Sequence, residues 1–160
     1  MKTKPLVFLA VVIGAVFLSS NAVMATAPVG FTAKVLAKGT LAKPAEMKAL
    51  GIQFSTERST DVYVQQVDFA PGGSSGWHEH PGLVLVSVAI GAVIVHSGCK
   101  AGQQYSAGQT FIEAPLTPML VENASSTAPA QNFAAVVVPA GTAARIELPS
   151  APNCNPKESD

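Results

Sequence analysis

Charged residues are scarce in this chain of 160 residues. Only 12% of the residues are Asp, Glu, Lys or Arg, with ten basic and ten acidic side chains, so the formal net charge is zero. The lysines between residues 34 and 48 are spread out, and the only arginines are Arg58 and Arg145. Proteins that bind nucleic acid through its phosphates need clustered Lys and Arg. The sequence therefore predicts that nucleic acid is not a partner.

Motifs for nucleophilic catalysis are also lacking. Ser74 and Ser75 lie near a histidine but within a glycine-rich turn, and no nucleophile-elbow motif occurs. The only cysteines are Cys99 and Cys154. In an exported protein such a pair predicts a disulfide, which would stabilise the fold by about 4 kcal/mol in the chain-entropy model. A free reactive thiol and a metal-binding pair are the alternatives.

The chain has one long hydrophobic run, and it lies at the N-terminus. Lys2 and Lys4 precede the apolar stretch 5–18, and small residues precede a cleavage site after Ala25. This pattern is typical of a secretory signal peptide, and the run is shorter than the roughly 20 residues of a membrane-spanning helix. An uncleaved N-terminal anchor is the alternative. We expect residues 1–25 to be removed, and the mature protein to be periplasmic or extracellular without stable membrane association.

The predicted mature chain carries eight basic and ten acidic side chains, because Lys2 and Lys4 leave with the signal peptide. Its length of about 135 residues suits a single domain with a sizeable core. We divide the chain into a signal peptide (1–25), an N-terminal arm with edge elements (26–60), a barrel (61–150) and a C-terminal tail (151–160).

Helix signals are few, and the pattern is that of short β-rich runs separated by Gly, Pro and Ser. The best helix candidate is Pro44–Leu50, closed by Gly51, and the lysine-containing stretch before it looks like a loop. Strands at about ten-residue spacing indicate an all-β sandwich or barrel. The predicted strands cover residues 61–69, 83–90, 92–96, 104–105, 110–113, 120–123, 133–138 and 145–148. Leu83–Ile90 is apolar on both faces, and Ala92–His96 is expected to pair with it as a hairpin.

His78 and His80 form the most informative feature of the sequence. They follow the glycine-rich turn 71–76 and precede the β-branched run 83–90. In an extended chain, residues two apart point to the same face, so the two imidazoles lie side by side. This arrangement suits two ligands of one metal ion. The alternative is a pair of polar residues at a pocket mouth, satisfied by hydrogen bonds or water.

The segment around these histidines resembles the first motif of the cupin family, G-x5-H-x-H-x3-E-x6-G. Gly72, His78, His80 and Gly91 occupy the motif positions, whereas Val84 stands where the family has glutamate. The second motif, G-x5-P-x-G-x2-H-x3-N, is looser here. The resemblance covers residues 61–139 and implies a single-domain, all-β jelly-roll barrel (a double-stranded β-helix), which often forms a homodimer.

The resemblance also implies a metal site, with two of its four ligands replaced. Counting four residues back from Asn123 puts Met119 where the family has its third histidine. Met119 is either a core residue or a thioether ligand, which would favour copper. Glu113 is the best candidate to replace the carboxylate missing at position 84. Val84, Val86 and Trp77 are predicted to line the cavity.

These observations leave three functions open. The first is an exported module that binds a metal or a small ligand, and the second is a metal-dependent oxygenase or isomerase acting on a small organic substrate. The third is a structural barrel without a working site. If a cofactor is present, it is one divalent transition metal, and Fe, Mn, Ni, Zn and Cu all remain open, as does a metal-free protein.

Overall fold

The computed structural model describes residues 26–154, so the predicted signal peptide and the last six residues of the tail lie outside the described residues. All regular secondary structure within 26–154 is β-strand, which confirms the predicted all-β class. No helix in that range is long and apolar enough to cross a membrane. The strands are β1 (Val29–Leu41), β2 (Ala45–Ala49), β3 (Ile52–Thr56), β4 (Thr60–Ser74), β5 (His78–Glu79), β6 (Leu83–Ile90), β7 (Ala92–Ser97), β8 (Gln103–Ser106), β9 (Thr110–Glu113), β10 (Met119–Asn123), β11 (Ala130–Pro139) and β12 (Ile146–Glu147).

Ten of these strands form one antiparallel sheet that folds into two layers. One layer has the order β1-β4-β11-β6-β9, and the other has the order β8-β7-β10-β5-β12. The end of β4 crosses between the layers, where Ser74 pairs with Glu122 of β10. Side chains from both layers fill one core, including Phe69 and Val136 from the first layer and Val93 and Val121 from the second. The result is the nearly closed jelly-roll barrel that the sequence predicted.

The N-terminal stretch that looked like a loop is the long edge strand β1. It pairs with β4 from Phe31 opposite Phe69 to Leu41 opposite Thr60. Most of its side chains are exposed, including both of its lysines, Lys34 and Lys38. An exposed edge strand carries little hydrophobic alternation, and lysines are common at such edges, which explains why the pattern did not reveal it.

The helix predicted at Pro44–Leu50 is wrong. Residues Ala45–Ala49 and Ile52–Thr56 form a two-stranded hairpin, separate from the barrel sheet. Leu50 and Gly51 both have positive φ, at 51° and 82°, which is the backbone of the tight type I′ turn that fits the twist of a hairpin. Gly51, taken from the sequence as the end of a helix, is the second residue of this turn.

The hairpin predicted between residues 83–90 and 92–96 is also wrong. Strand β6 pairs with β9 and β11, whereas β7 pairs with β8 and β10 in the other layer. Gly91, with a φ of 74°, lies where the chain passes between the layers. The outer face of β6 is not covered, since Leu85 is 40% exposed and Ile90 is 53% exposed. Alternation in this strand is hidden because its exposed positions are apolar too.

The predicted disulfide is confirmed. Cys99, in the loop after β7, is bonded to Cys154, and their Cα atoms are 5.3 Å apart. The bond attaches the C-terminal tail to the barrel layer that contains β7 and β10.

Candidate metal centre

His78 and His80 lie on and just after the short strand β5, and both are buried, at 2% and 7% exposure. Strand β5 is held between β10, where His78 is opposite Met119, and β12, where His78 is opposite Glu147. The two imidazole rings face the barrel interior with centroids 5.1 Å apart. The same-face placement predicted from the His-x-His spacing is therefore present.

Each histidine is oriented by a backbone carbonyl group. His78 Nδ1 lies 3.0 Å from the carbonyl oxygen of Gly76, and His80 Nδ1 contacts that of Ala144. A carbonyl oxygen only accepts hydrogen bonds, so we assign a proton to Nδ1 of each ring. The Nε2 atom of each neutral ring is then an unprotonated donor of an electron pair, which is how imidazoles are held for metal binding.

Glu113 supplies a carboxylate to the same place. It is the last residue of β9, and its position in the ladder is directly opposite Val84 of β6. Directly opposed residues of an antiparallel pair point to the same face. Glu113 therefore presents a carboxylate from the neighbouring strand, on the same face as position 84, where the motif has glutamate.

The three side chains converge closely enough for one ion. Glu113 Oε2 lies 3.0 Å from His80 Nε2 and 3.7 Å from His78 Nε2. Both distances are shorter than about 4.2 Å, twice a typical bond from a transition metal to nitrogen or oxygen. Ligand atoms of all three residues lie within 4.8 Å of one another, and all three residues are buried. The donor set and its spacing fit a divalent transition metal.

Electrostatics also favour a cation between these groups. Burial raises the pKa of the Glu113 carboxyl group, but the adjacent His78 and His80 side chains outweigh burial and lower the pKa from 4.5 to about 2, so the carboxylate is the stable form. A buried carboxylate needs such compensation because the loss of hydration is costly. With both Nδ1 protons already donated to carbonyl groups, the contact of Nε2 with the carboxylate requires a second proton on the ring or a metal ion.

The cluster opens onto an interior cavity of about 50 Å³. Val84 and Val86 line it, as predicted, together with Phe69 and Phe111. Because a water needs roughly 10–15 Å³ of such space, the cavity has room for about three to five waters or a correspondingly small ligand. Its walls are largely apolar, so the few polar groups on them are the sites that can orient a ligand.

Trp77, which was predicted to line this cavity, does not contact it. It immediately precedes His78, the first residue of β5, and its side chain points away from that of His78. There the indole packs against His96, with ring centroids 6.4 Å apart, in a surface groove beside the disulfide. His96 itself forms a surface pair with Glu122, at 3.1 Å between Nε2 and Oε2.

Met119 is almost fully buried, at 1% exposure, in the hydrophobic core. Its position opposite His78 in the ladder puts both residues on one face, yet Met119 is not among the residues that line the cavity. Its role as a sulfur ligand stays a prediction.

Four polar residues that line the cavity were not recognised in the sequence: Gln65, Ser75, Asn132 and Arg145. The Ser75 hydroxyl is fully engaged, because it donates to the Gly76 carbonyl and accepts from the Val121 amide. Arg145 donates to the Ser75 carbonyl and pairs with Glu147. Asn132 was missed because the predicted strand began one residue later, at Phe133.

Known structures of similar shape include a cupin-like protein from Thermotoga maritima, with 20% identity, a TM-score of 0.49, and 54% of this chain and 64% of that protein covered. An oxalate oxidase is 21% identical, with a TM-score of 0.48 and coverage of 58% and 52%. An oxalate decarboxylase from Lactobacillus farciminis is 17% identical, with a TM-score of 0.47 and coverage of 54% and 26%. The chain thus spans less than two thirds of these proteins. No protein-family model and no curated protein matches the sequence.

Proposed function

We propose that this chain, a jelly-roll barrel that resembles the cupins in sequence and in structure, binds one divalent transition-metal ion through His78, His80 and Glu113. The observation that carries the proposal is the orientation of the two histidine rings. Both Nδ1 atoms lie against backbone carbonyl oxygens, and both Nε2 atoms face the buried carboxylate. A barrel without a metal has no need for this orientation at both rings.

The Glu113 carboxylate also supplies the negative charge that two neutral imidazoles lack. A site of His78 and His80 alone brings no charge to offset dehydration of a divalent ion. Glu113 brings a negative charge and a hard oxygen atom from the strand next to Val84. The set of two nitrogens and one oxygen suits Fe, Mn, Ni or Zn, and a bond to Met119 would shift the preference towards copper.

A metal held by three protein groups retains open positions towards the cavity, where a small ligand can reach it. We therefore propose a module that binds the metal together with a small molecule.

A metal-dependent oxygenase or isomerase is the second candidate. It is favoured by the same ligand count, because two histidines and one carboxylate with open positions are typical of non-heme iron enzymes and of catalytic zinc sites. A bound metal would polarise a ligand oxygen or activate O₂ or water.

Export is part of the proposal. The N-terminal segment 1–25 has the features of a signal peptide, and the Cys99–Cys154 disulfide is compatible with an oxidising compartment. Expression with this segment intact should yield a chain that begins after Ala25, as mass spectrometry of the secreted or periplasmic fraction can show.

A homodimer is a further part of the proposal, and the outer face of the first layer supports it. Val64, Leu85 and Ile112 are 42%, 40% and 59% exposed and lie in one ladder row that crosses the layer. Light scattering should report a dimer of the wild type, and Leu85→Lys should shift it to monomer. A wild-type monomer at micromolar concentration would refute this part.

The test of the metal site is a titration of chelator-treated protein with Zn²⁺, followed by calorimetry. The wild type should bind one ion per chain, and His80→Ala should bind at least about 100-fold more weakly, because it loses a direct ligand. His96→Ala is the matched control, since His96 also pairs with a carboxylate but at the surface. Equal affinity of the wild type and His80→Ala would contradict the proposal.

A further inference from the structure

Asn132 has a buried amide oxygen without a protein partner. Its side chain is in the middle of β11 and is 2% exposed. Its Oδ1 is the only buried side-chain nitrogen or oxygen atom without a hydrogen-bond partner among residues 26–154. An unsatisfied buried polar group is costly, and such groups are uncommon in folded proteins. A replacement by Leu, of similar size, would remove that cost.

The surroundings of Asn132 explain why it has no partner. Its neighbours in the ladders are Val67 of β4 and Val88 of β6, and neither offers a polar side chain. Nevertheless, Asn132 lines the same cavity as His78, His80 and Glu113. The amide is therefore directed into the space where a ligand of the metal would lie.

The position of Asn132 separates it from the metal ligands. Glu113, Val84 and Val136 form one ladder row, and Asn132 lies four residues from Val136 on β11. At about 3.3 Å per residue, the two rows are about 13 Å apart along the strand. Ala134 lies between them on β11 and also lines the cavity, in a ladder row that it shares with Gln65, Val86 and Phe111.

We propose that Asn132 is a specificity-determining residue that binds a hydroxyl group at the end of a small ligand whose other end reaches the metal. This inference rests on the proposed metal site. The chemistry of the ligand follows from the two ends of the cavity. A divalent ion and one carboxylate leave a net positive charge, which attracts an anionic oxygen group. A hydroxyl group both donates and accepts, so it pairs with an amide in either orientation.

The ligand class is therefore a short aliphatic hydroxycarboxylate. The walls between the two ends are mostly apolar, with Val86, Phe111 and Ala134 among them and Gln65 as a polar member, which suits a hydrocarbon segment. The small cavity excludes large substrates such as sugars or peptides.

Asn123 offers a matched control for Asn132. It is also buried, at 8% exposure, in a strand of the barrel. Its amide is satisfied, because Nδ2 donates to the carbonyl groups of Ala70 and Ala128, and Oδ1 accepts from the Ser125 amide. Asn123→Leu should therefore lower the melting temperature, whereas Asn132→Leu should raise it by about 3–8 °C in the ligand-free protein.

The binding experiment uses Zn²⁺-loaded protein and unbranched carboxylates of four or five carbons, which are long enough to reach between the two rows, each with and without a terminal hydroxyl group. We expect at least one hydroxycarboxylate to bind the wild type about tenfold more tightly than its hydroxyl-free partner, and this preference to disappear in Asn132→Leu. Zinc content is measured on the same samples. A wild type that holds no zinc overturns the metal site itself. If the wild type and Asn132→Leu both hold zinc, two results overturn the role of Asn132 and leave the metal site intact. One is that the wild type shows no preference for the hydroxycarboxylate, and the other is that Asn132→Leu shows the same preference as the wild type. A melting temperature lowered in Asn132→Leu as in Asn123→Leu would also overturn it.

Discussion

The position of the carboxylate can be tested by moving it. Glu113 and Val84 are opposite each other on adjacent strands, so a glutamate at either position points to the same face. Three variants follow from this geometry: Glu113→Ala removes the carboxylate, Val84→Glu adds a second one, and the double variant returns it to the strand where the cupin motif has it. The double variant conserves the number and charge of the metal ligands.

The expected losses of metal affinity follow from the role of Glu113 as a direct ligand of the metal. Loss of a group that only orients a ligand costs about 10–100-fold in metal affinity, so Glu113→Ala should lose more than about 100-fold, which corresponds to about 2.7 kcal/mol. The double variant should recover affinity to within about tenfold of the wild type. Val84→Glu alone brings two carboxylates together without metal, and their repulsion should lower its stability at neutral pH.

Calorimetric titration with Zn²⁺ measures these affinities, and circular dichroism shows whether each variant is folded. Wild-type affinity in Glu113→Ala would refute the assignment of Glu113. A folded double variant that binds no better than Glu113→Ala would refute the reasoning that the ladder pair makes the two positions equivalent.

Three further predictions concern stability. The pKa of Asp61 is lowered to about 2 by hydrogen bonds from Thr40, Lys38 and the Gly141 amide. The resulting stabilisation is present above about pH 4, the unfolded pKa, and is lost as the pH falls through the folded value. Between these pH values the melting temperature of Asp61→Asn should therefore fall less than that of the wild type, and parallel pH curves would contradict the prediction. Reduction of the disulfide should cost about 4 kcal/mol in urea unfolding, and an unchanged midpoint would show that the tail adds nothing. Gly82→Ala should cost about 1–3 kcal/mol, because a Cβ atom would lie 2.0 Å from the Val137 carbonyl oxygen; wild-type stability would show that β6 shifts without cost.

The sequence predicted those parts of the site that depend on local geometry. The placement of His78 and His80 on one face follows from the two-residue period of a strand, and most barrel strands followed from short apolar runs between turns. The disulfide followed from cysteine count and the predicted compartment. Each of these inferences needs only neighbouring residues or composition.

The sequence could not establish what depends on pairing between distant strands. Glu113 was one candidate among several until the register of β9 against β6 placed it opposite Val84. The edge strand β1 is exposed and rich in lysine, so it carries no alternating pattern. The turn at Leu50–Gly51 resembles a helix end in sequence, and only the backbone angles show it to be a hairpin turn. Alternation does mark Asn132 as an inward residue, once the strand is known to begin at Ala130.

The central claim is that one metal ion is held by His78, His80 and Glu113. The most direct test is elemental analysis of the mature protein, purified from the exported fraction without chelators or a polyhistidine tag, beside the His78→Ala/His80→Ala variant. The account predicts about one equivalent of a divalent transition metal in the wild type and none in the variant. A wild type without metal, whose affinity for added ions is no better than that of the variant, would contradict it.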